Sequence, residues 1–143
     1  MATIDTLIRL AKFELDERQR ALRELLDQED RLKDAISALE KSLILEAKAV
    51  ENLPQLAANF GRYADRARQE REAIEEQIKE LAPLIEKARD HLAEAFEEMK
   101  RYEITRDNRN ERNQKEQDKK DQDILDEQGL IAYRRAHDNE DGS

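Results

Sequence analysis

The chain has 143 residues, of which 43 % are charged and 4 % are aromatic, and it contains no cysteine. The absence of cysteine excludes disulfides and thiolate metal sites. The apolar side chains are too few to fill a thick globular core. The net charge of −9 is evenly spread, because each third of the chain holds three more acidic than basic side chains. No basic block is present to neutralise phosphates, so we predict no nucleic-acid partner. The composition favours long helices that share one buried seam.

The sequence contains no run of about 18 apolar residues, so we predict no direct membrane span. Its first residues lack the basic and then apolar layout of a signal peptide. The lack of cysteine fits a reducing compartment. Together these features predict a cytoplasmic protein.

The first predicted helix begins near Thr3, which can cap it, and Asp5 then faces the positive end of the helix dipole. From Ile8 to Leu53 the residues follow a heptad repeat abcdefg, in which the a and d positions form the seam. Eleven of these fourteen seam positions are apolar. The charged exceptions are Arg18, Glu29 and Glu46.

The stretch 52–61 interrupts the helical pattern. Pro54 has no amide proton and clashes with the preceding turn, so it is tolerated only near the start of a helix. Asn52 can cap a helix that starts there, and two turn-forming residues follow at Asn59 and Gly61. The apolar part of the chain is centred on residue 54. We therefore predict that 52–61 is the bend of a hairpin.

The second arm keeps the heptad repeat from Ala57 to Tyr102, with Arg71 as its one charged seam residue. The two arms together have 24 apolar residues at 28 seam positions, whereas the overall apolar content would give about 11. Pro83 falls at an f position on the outer face, where it is predicted to bend the helix without opening the seam. The arms are therefore predicted to pack as an antiparallel coiled coil.

The heptad repeat also continues through the bend, so one long helix in a parallel homodimer is the alternative. In that dimer each charged seam residue would face its own copy, which is unfavourable. In the hairpin, residue i faces roughly residue 108 − i. Arg71 then lies near Glu40, and Glu46 lies near Arg62 and Arg66. We therefore favour a monomer over a parallel homodimer.

Residues 105–123 contain no apolar side chain, so we predict a solvated helix or a disordered segment there. An apolar cluster follows, and Gly129 interrupts it. The cluster consists of Ile124, Leu125, Leu130, Ile131 and Tyr133. Residues 138–143 are predicted to form a loose tail.

These patterns predict an all-α fold with two parts. Residues 1–104 form a long antiparallel two-helix coiled-coil hairpin. Residues 105–143 form a polar extension that includes a short amphipathic segment over 124–135.

No residues are arranged for catalysis. The histidines are His91 and His137. His91 lies at a g position beside Glu94, and one His-x-x-Glu pair lacks the further ligands of a metal site, so we interpret His91 as an exposed residue at the seam edge. No glycine-rich phosphate loop and no nucleophile motif is present. The chain is therefore predicted to have no metal site, no cofactor and no enzymatic activity.

Four large apolar residues lie outside the seam and map to the open end of the predicted hairpin. They are Leu10, Phe13, Phe96 and Ile104. Exposed aromatic residues in a chain so poor in them indicate a contact surface, to which we add Leu130 and Tyr133. Two alternatives are that the C-terminal cluster folds back over the four, or that their exposure is of the ordinary scattered kind. Ile44 and Leu45 also leave the seam and are predicted to pack against the bend.

The chain opens, over residues 6–22, with TLIRLAKFELDERQRAL. This stretch resembles the N-terminal helix of FliJ-type flagellar export proteins, and the related YscO-type injectisome proteins share the layout. The size, the bend in the middle of the chain and the ending LDEQGLIAYRR over residues 125–135 resemble that family as well.

The resemblance implies a cytoplasmic antiparallel coiled coil, similar to the central stalk of rotary ATPases. Family members dock on a hexameric export ATPase, promote its assembly, contact a membrane export-gate protein and escort export chaperones. Such a protein would lie in the cytoplasm or at the periphery of the inner membrane, at the export apparatus. We predict that the open end, with Leu10, Phe13, Phe96 and Ile104, meets the ATPase.

Two other non-enzymatic functions stay open. A prefoldin-like holdase chaperone grips its clients with the ends of coiled coils, but that fold normally carries β-hairpins, and no alternating β-branched run is present here. A structural scaffold or spacer would need no aromatic residues outside the seam.

Overall fold

The computed structural model describes residues 3–141. Helix α1 spans Ile4–Asn52, a short 3-10 turn spans Pro54–Leu56, and helix α2 spans Ala57–Asp141. No strand occurs within the described residues. The predicted all-α hairpin is confirmed.

Helix α1 begins where the sequence predicts. The backbone N–H of Thr6 donates to Oγ1 of Thr3 across 3.2 Å, and Asp5 lies in the first turn. The hydroxyl satisfies one of the amides that a helix start leaves without a partner, and the carboxylate complements the helix dipole. The predicted cap is confirmed.

The break between the helices lies at Leu53, whose φ of −136° and ψ of 79° are not helical. A residue before proline is pushed out of the α region by the proline ring, so Pro54 sets the position of the break. Asn52 is the last residue of α1, and the 3-10 turn has no side-chain cap. The prediction that Asn52 caps the second helix is therefore wrong.

The predicted bend is also too long. Asn59 and Gly61 lie inside α2, and no described residue has a positive φ. Their turn-forming tendency is only a weak local preference, and the helix continues through both.

The chain divides into two compact units. The first, which we call the hairpin unit, is Leu10–Glu98; the second, the terminal unit, holds the chain before Leu10 and after Glu98. The hairpin unit contains most of α1, the turn and the first half of α2.

Pairs across the hairpin unit show which residues of the two helices face each other. Nη1 of Arg71 lies 3.0 Å from Oε1 of Glu40, which confirms the predicted pair. Nη1 of Arg18 lies 3.3 Å from Nδ1 of His91. The residue numbers in these two pairs add up to 111 and 109, whereas the sequence predicted a sum of about 108. The difference arises because the turn is centred on residue 55.

The core is a single seam. Among the described residues, every buried residue occupies a predicted a or d position of the heptad repeat. In the hairpin unit these residues are Ala11, Ala67, Ile74, Leu81, Ile85 and Ala95, and in the terminal unit they are Ile8 and Met99. Four seam positions are exposed, namely Glu46, Leu53, Ala57 and Arg71. Three of the four lie at the closed end, since Leu53 and Ala57 flank the turn and Glu46 precedes it by two helical turns.

Pro83 lies inside α2 and is exposed, as its f position predicts. A proline removes one helical hydrogen bond. Since this side chain faces solvent, water can satisfy the carbonyl that loses its donor, and the seam residues Leu81 and Ile85 stay buried.

Helix α2 continues to Asp141, and residues 107–140 are all exposed. Glutamine side chains donate to aspartates four residues on, in the pairs Gln114–Asp118, Gln117–Asp121 and Gln122–Asp126. Such pairs stabilise a solvated helix. The sequence predicted either a solvated helix or a disordered segment for residues 105–123, and the structure has the helix.

Two further expectations for this region differ from the structure. Gly129 lies within α2 and does not interrupt it, and residues 138–141 of the predicted loose tail are helical. Residues 142–143 of that tail lie outside the described residues. The helix continues at Gly129 and at residues 138–141 because the preceding turns have favourable helix propensities and charge pairs.

The Gly61→Ala variant should be more stable than the wild type. Gly61 has helical φ, and a Cβ added there would meet no atom within 4 Å. Alanine in a helix interior is favoured over glycine by about 0.5–1 kcal/mol. We expect urea denaturation to show an increase of that size in the free energy of unfolding.

Gly129→Ala is the matched control, since its Cβ would also meet nothing within 4 Å. That part of α2 has no buried residue, so we expect more helical signal without a later unfolding midpoint. A destabilised Gly61→Ala variant would contradict the helical geometry at this position.

Candidate partner-binding surface

Three of the predicted contact residues belong to the hairpin unit, and all three are exposed. Leu10 and Phe13 lie one turn apart on α1, and Phe13 is 63 % exposed. Phe96 lies on α2 and is 48 % exposed. Two of the three phenylalanines of the chain thus contribute to the surface near the open end of the hairpin unit.

Phe96 forms part of a groove between the two helices, a feature that the sequence pattern did not predict. The groove has a volume of about 320 Å³, and its lining consists of Leu15, Gln19, Arg89, Leu92, Ala93 and Phe96. Leu15 and Leu92 are seam residues that remain half-buried. The groove therefore combines partly accessible seam side chains with an aromatic ring. Phe13 is not among its lining residues.

The other three predicted contact residues, Ile104, Leu130 and Tyr133, belong to the terminal unit. All three are exposed. The ring of Tyr133 stacks on the ring of His137, with centroids 5.9 Å apart. The grouping of Ile104 with Leu10, Phe13 and Phe96 stays a prediction.

The C-terminal cluster does not cover the four apolar residues over which the fold-back alternative placed it. Its five large apolar members are exposed, and so are Leu10, Phe13, Phe96 and Ile104. Neither set is buried, so the fold-back alternative is wrong.

Ile44 and Leu45 are also exposed, so the prediction that they pack against the bend is wrong. A different set of residues lines a cavity of about 260 Å³ at the closed end of the hairpin unit. The lining consists of Glu46, Ala49, Val50, Leu56, Asn59, Phe60, Tyr63 and Arg66. Glu46 borders this cavity together with Arg66, as the predicted pairing requires, although no ion pair between them forms within the described residues.

Two charged seam residues of α1, Arg18 and Glu29, have partners on the same helix. Nε of Arg18 donates to Oε1 of Glu14 across 2.8 Å, and Lys33 lies 3.2 Å from Glu29. His91 is half-buried beside Arg18, so the prediction that it is exposed is wrong. These partners let charges lie at a seam that has solvent along both sides.

Arg71 binds two carboxylates. Its Nε donates to Glu75 across 2.9 Å, and its Nη1 pairs with Glu40. The hydrogen bond to Glu75, followed by the charge of Glu40, raises the pKa of Arg71. Since the guanidinium is charged at any physiological pH, this pair orients the two helices and has no acid–base role.

No group of histidine, aspartate or glutamate residues within residues 3–141 is placed to hold a metal ion. In the part of the chain that the structure describes, no helix combines the length and the apolar character needed to cross a bilayer.

Comparison with known protein families matches residues 1–138 to the family described as Flagellar FliJ protein. No curated protein and no solved structure matches the chain. The match covers both helices and the turn between them, and the family is that of a structural component of the flagellar export apparatus. The chain therefore belongs to the FliJ family of flagellar export proteins.

Proposed function

We propose that the protein is a non-enzymatic, stalk-like coiled coil that docks on the hexameric export ATPase and promotes its assembly and activity. It also links the ATPase to the membrane export-gate protein and to export chaperones. It acts in the cytoplasm, at the periphery of the inner membrane. Its family supports the export role, and a hairpin with one buried seam supports a mechanical role, since it offers contacts along its length.

The observation that carries the docking proposal is the exposed apolar surface of the hairpin unit. Leu10, Phe13 and Phe96 are solvent-accessible although the chain has few aromatic residues. Exposed aromatic side chains lose water-accessible area when a partner covers them, and such residues often dominate binding energy. The groove beside Phe96 offers a pocket for an apolar side chain of the ATPase.

We also propose roles for the remaining contact residues and for the two parts of the chain. Residues 1–104 form the hairpin that meets the ATPase, with Ile104 at its end. Residues 105–143, with Leu130 and Tyr133, form an extension that meets the gate protein or the chaperones. The continuous exposure of 107–140 supports this division, because a helix that is exposed at every residue can be reached by a partner from all sides.

The test is the hydrolysis rate of the export ATPase from the same organism, measured with and without this protein. We expect stimulation that saturates with added protein, together with more hexameric rings in electron micrographs. Serum albumin at the same concentration is the control.

Absence of both binding and stimulation would contradict the docking proposal. The runner-up functions are then distinguished by a second assay. Suppressed aggregation of unrelated client proteins would indicate a holdase, and inert behaviour in both assays would indicate a scaffold.

A further inference from the structure

The groove beside Phe96 has two polar residues in its lining, Gln19 and Arg89. Both are exposed, and Arg89 forms no ion pair within residues 3–141. The planar guanidinium of an arginine presents several N–H donors and is suited to carboxylate oxygens. A guanidinium without an ion pair beside apolar side chains therefore indicates a ligand that carries an acidic group next to an apolar one.

The edge of the coiled coil that carries the groove has no acidic residue at its e positions near the groove. These positions are Lys12, Gln19 and Leu26 on α1, and Ala82, Arg89 and Phe96 on α2. The g positions of the opposite edge include Glu14 and Glu98. Since the whole chain has a net charge of −9, the cationic edge is a local exception to its composition.

Acidic residues on the same side of the two helices lie further from the seam. Asp16 and Glu86 occupy b positions and do not line the groove. Neither forms an ion pair with Arg89 or Lys12. The two cations of the edge are therefore available to a partner.

The two cations lie at different levels along the groove. Facing residues have numbers that add up to 109–111, which places Lys12 level with residues 97–99, close to Phe96. Phe96 lies seven residues from Arg89, or about 10.5 Å along the helix. The half-buried Leu15 and Leu92 lie between these levels. The surface thus presents a cation, an apolar floor and a second cation in series.

We infer that the groove binds an amphipathic helix of the export ATPase in which two carboxylates flank an apolar pair. Carboxylates at positions i and i+7 lie on the same helix face as apolar residues at i+3 and i+4. The apolar pair covers Leu15, Leu92 and Phe96, and the carboxylates pair with Arg89 and Lys12. The identity of the partner rests on the proposed docking function, whereas the pattern of acidic and apolar residues rests on the groove itself.

The charges provide selectivity, and the apolar contact provides most of the affinity. Exposed ion pairs contribute little to binding. A basic residue in place of either carboxylate would instead face a cation, and like charges across an interface are unfavourable. We therefore expect the groove to prefer an acidic over a basic amphipathic helix by at least about tenfold.

The first experiment titrates the full chain, labelled with fluorophenylalanine, with a synthetic peptide. The peptide is an alanine-based helix of about 16 residues that carries two glutamates and two leucines at the spacing given above. Its control has lysines in place of the glutamates. Fluorine NMR should show a shift of the Phe96 signal only, since Phe13 and Phe60 do not line the groove. The lysine peptide should bind at least about tenfold more weakly, and Arg89→Glu should abolish this preference.

The second experiment measures the affinity of the export ATPase for the Arg89→Glu variant by titration calorimetry. We expect binding about tenfold weaker than that of the wild type. Lys87→Glu is the matched control, because it makes the same change in charge at an exposed c position. That position is rotated by about 200° from Arg89 around α2. The control should bind as the wild type does.

Several outcomes would overturn the inference. They are equal affinities of the two peptides for the wild type, a shift of the Phe60 signal in place of Phe96, and no binding of either peptide up to about 1 mM. An ATPase that binds Arg89→Glu as tightly as the wild type would overturn it as well, although the docking function would then stand. If the ATPase does not bind the wild type, the docking function fails, and the peptide titration alone decides which helix the groove prefers.

Discussion

The Leu81→Ala variant is expected to lose about 2–4 kcal/mol of the free energy of unfolding. Leu81 is 6 % exposed at a d position of α2, so the substitution removes buried apolar area and leaves a cavity in the seam. Because the seam is a single layer, no second layer of side chains can collapse into the gap. Urea denaturation followed by circular dichroism measures the change.

Leu84→Ala is the matched control for this prediction. Leu84 lies three residues further along the same helix and is 51 % exposed, so its truncation removes little buried area. We expect a loss below about 1 kcal/mol. Equal losses for the two leucines would contradict the assignment of the seam.

The Phe13→Ala, Phe96→Ala double variant is expected to bind the export ATPase at least about 30-fold more weakly than the wild type. Both side chains are exposed in the free protein, and truncation removes the apolar area that the ATPase would cover. This prediction rests on the proposed docking function. Titration calorimetry gives the affinity, and the stimulated hydrolysis rate provides an independent reading.

The Ile44→Ala, Leu45→Ala double variant is the control, since these residues are equally exposed but lie toward the closed end of the hairpin unit. It should bind as the wild type does. Phe96 borders seam residues in its groove, so circular dichroism must show that both double variants keep their helical signal. Unchanged affinity of a helical Phe13→Ala, Phe96→Ala variant would exclude this surface as the docking site.

Most features that the sequence predicted correctly belong to the seven-residue repeat. The seam positions, the cap at Thr3, the outward-facing Pro83 and the pair between Glu40 and Arg71 were all predicted. Apart from the cap, which follows from the residue type at the helix start, each follows from a periodic pattern that many residues support together, so a misleading local signal at one position changes little.

Several predictions that rested on one or two residues were wrong. Asn59, Gly61 and Gly129 indicated breaks, yet α2 passes through all three, because a single weak helix former costs less than the surrounding turns contribute. The half-buried state of His91 and the groove beside Phe96 depend on how closely two helices approach. No local pattern reports that separation.

The sequence alone determined that two amphipathic helices share one seam, because the heptad repeat and the lack of other apolar residues leave no other core. The heptad repeat did not determine which turns face each other; the predicted bend placed Arg71 near Glu40, and the tertiary structure decided the register itself. A seven-residue repeat stays in phase after any slide by seven residues, so periodicity is compatible with several registers. The break at Leu53 and the three-residue turn Pro54–Leu56 select one of them, in which Arg71 lies against Glu40.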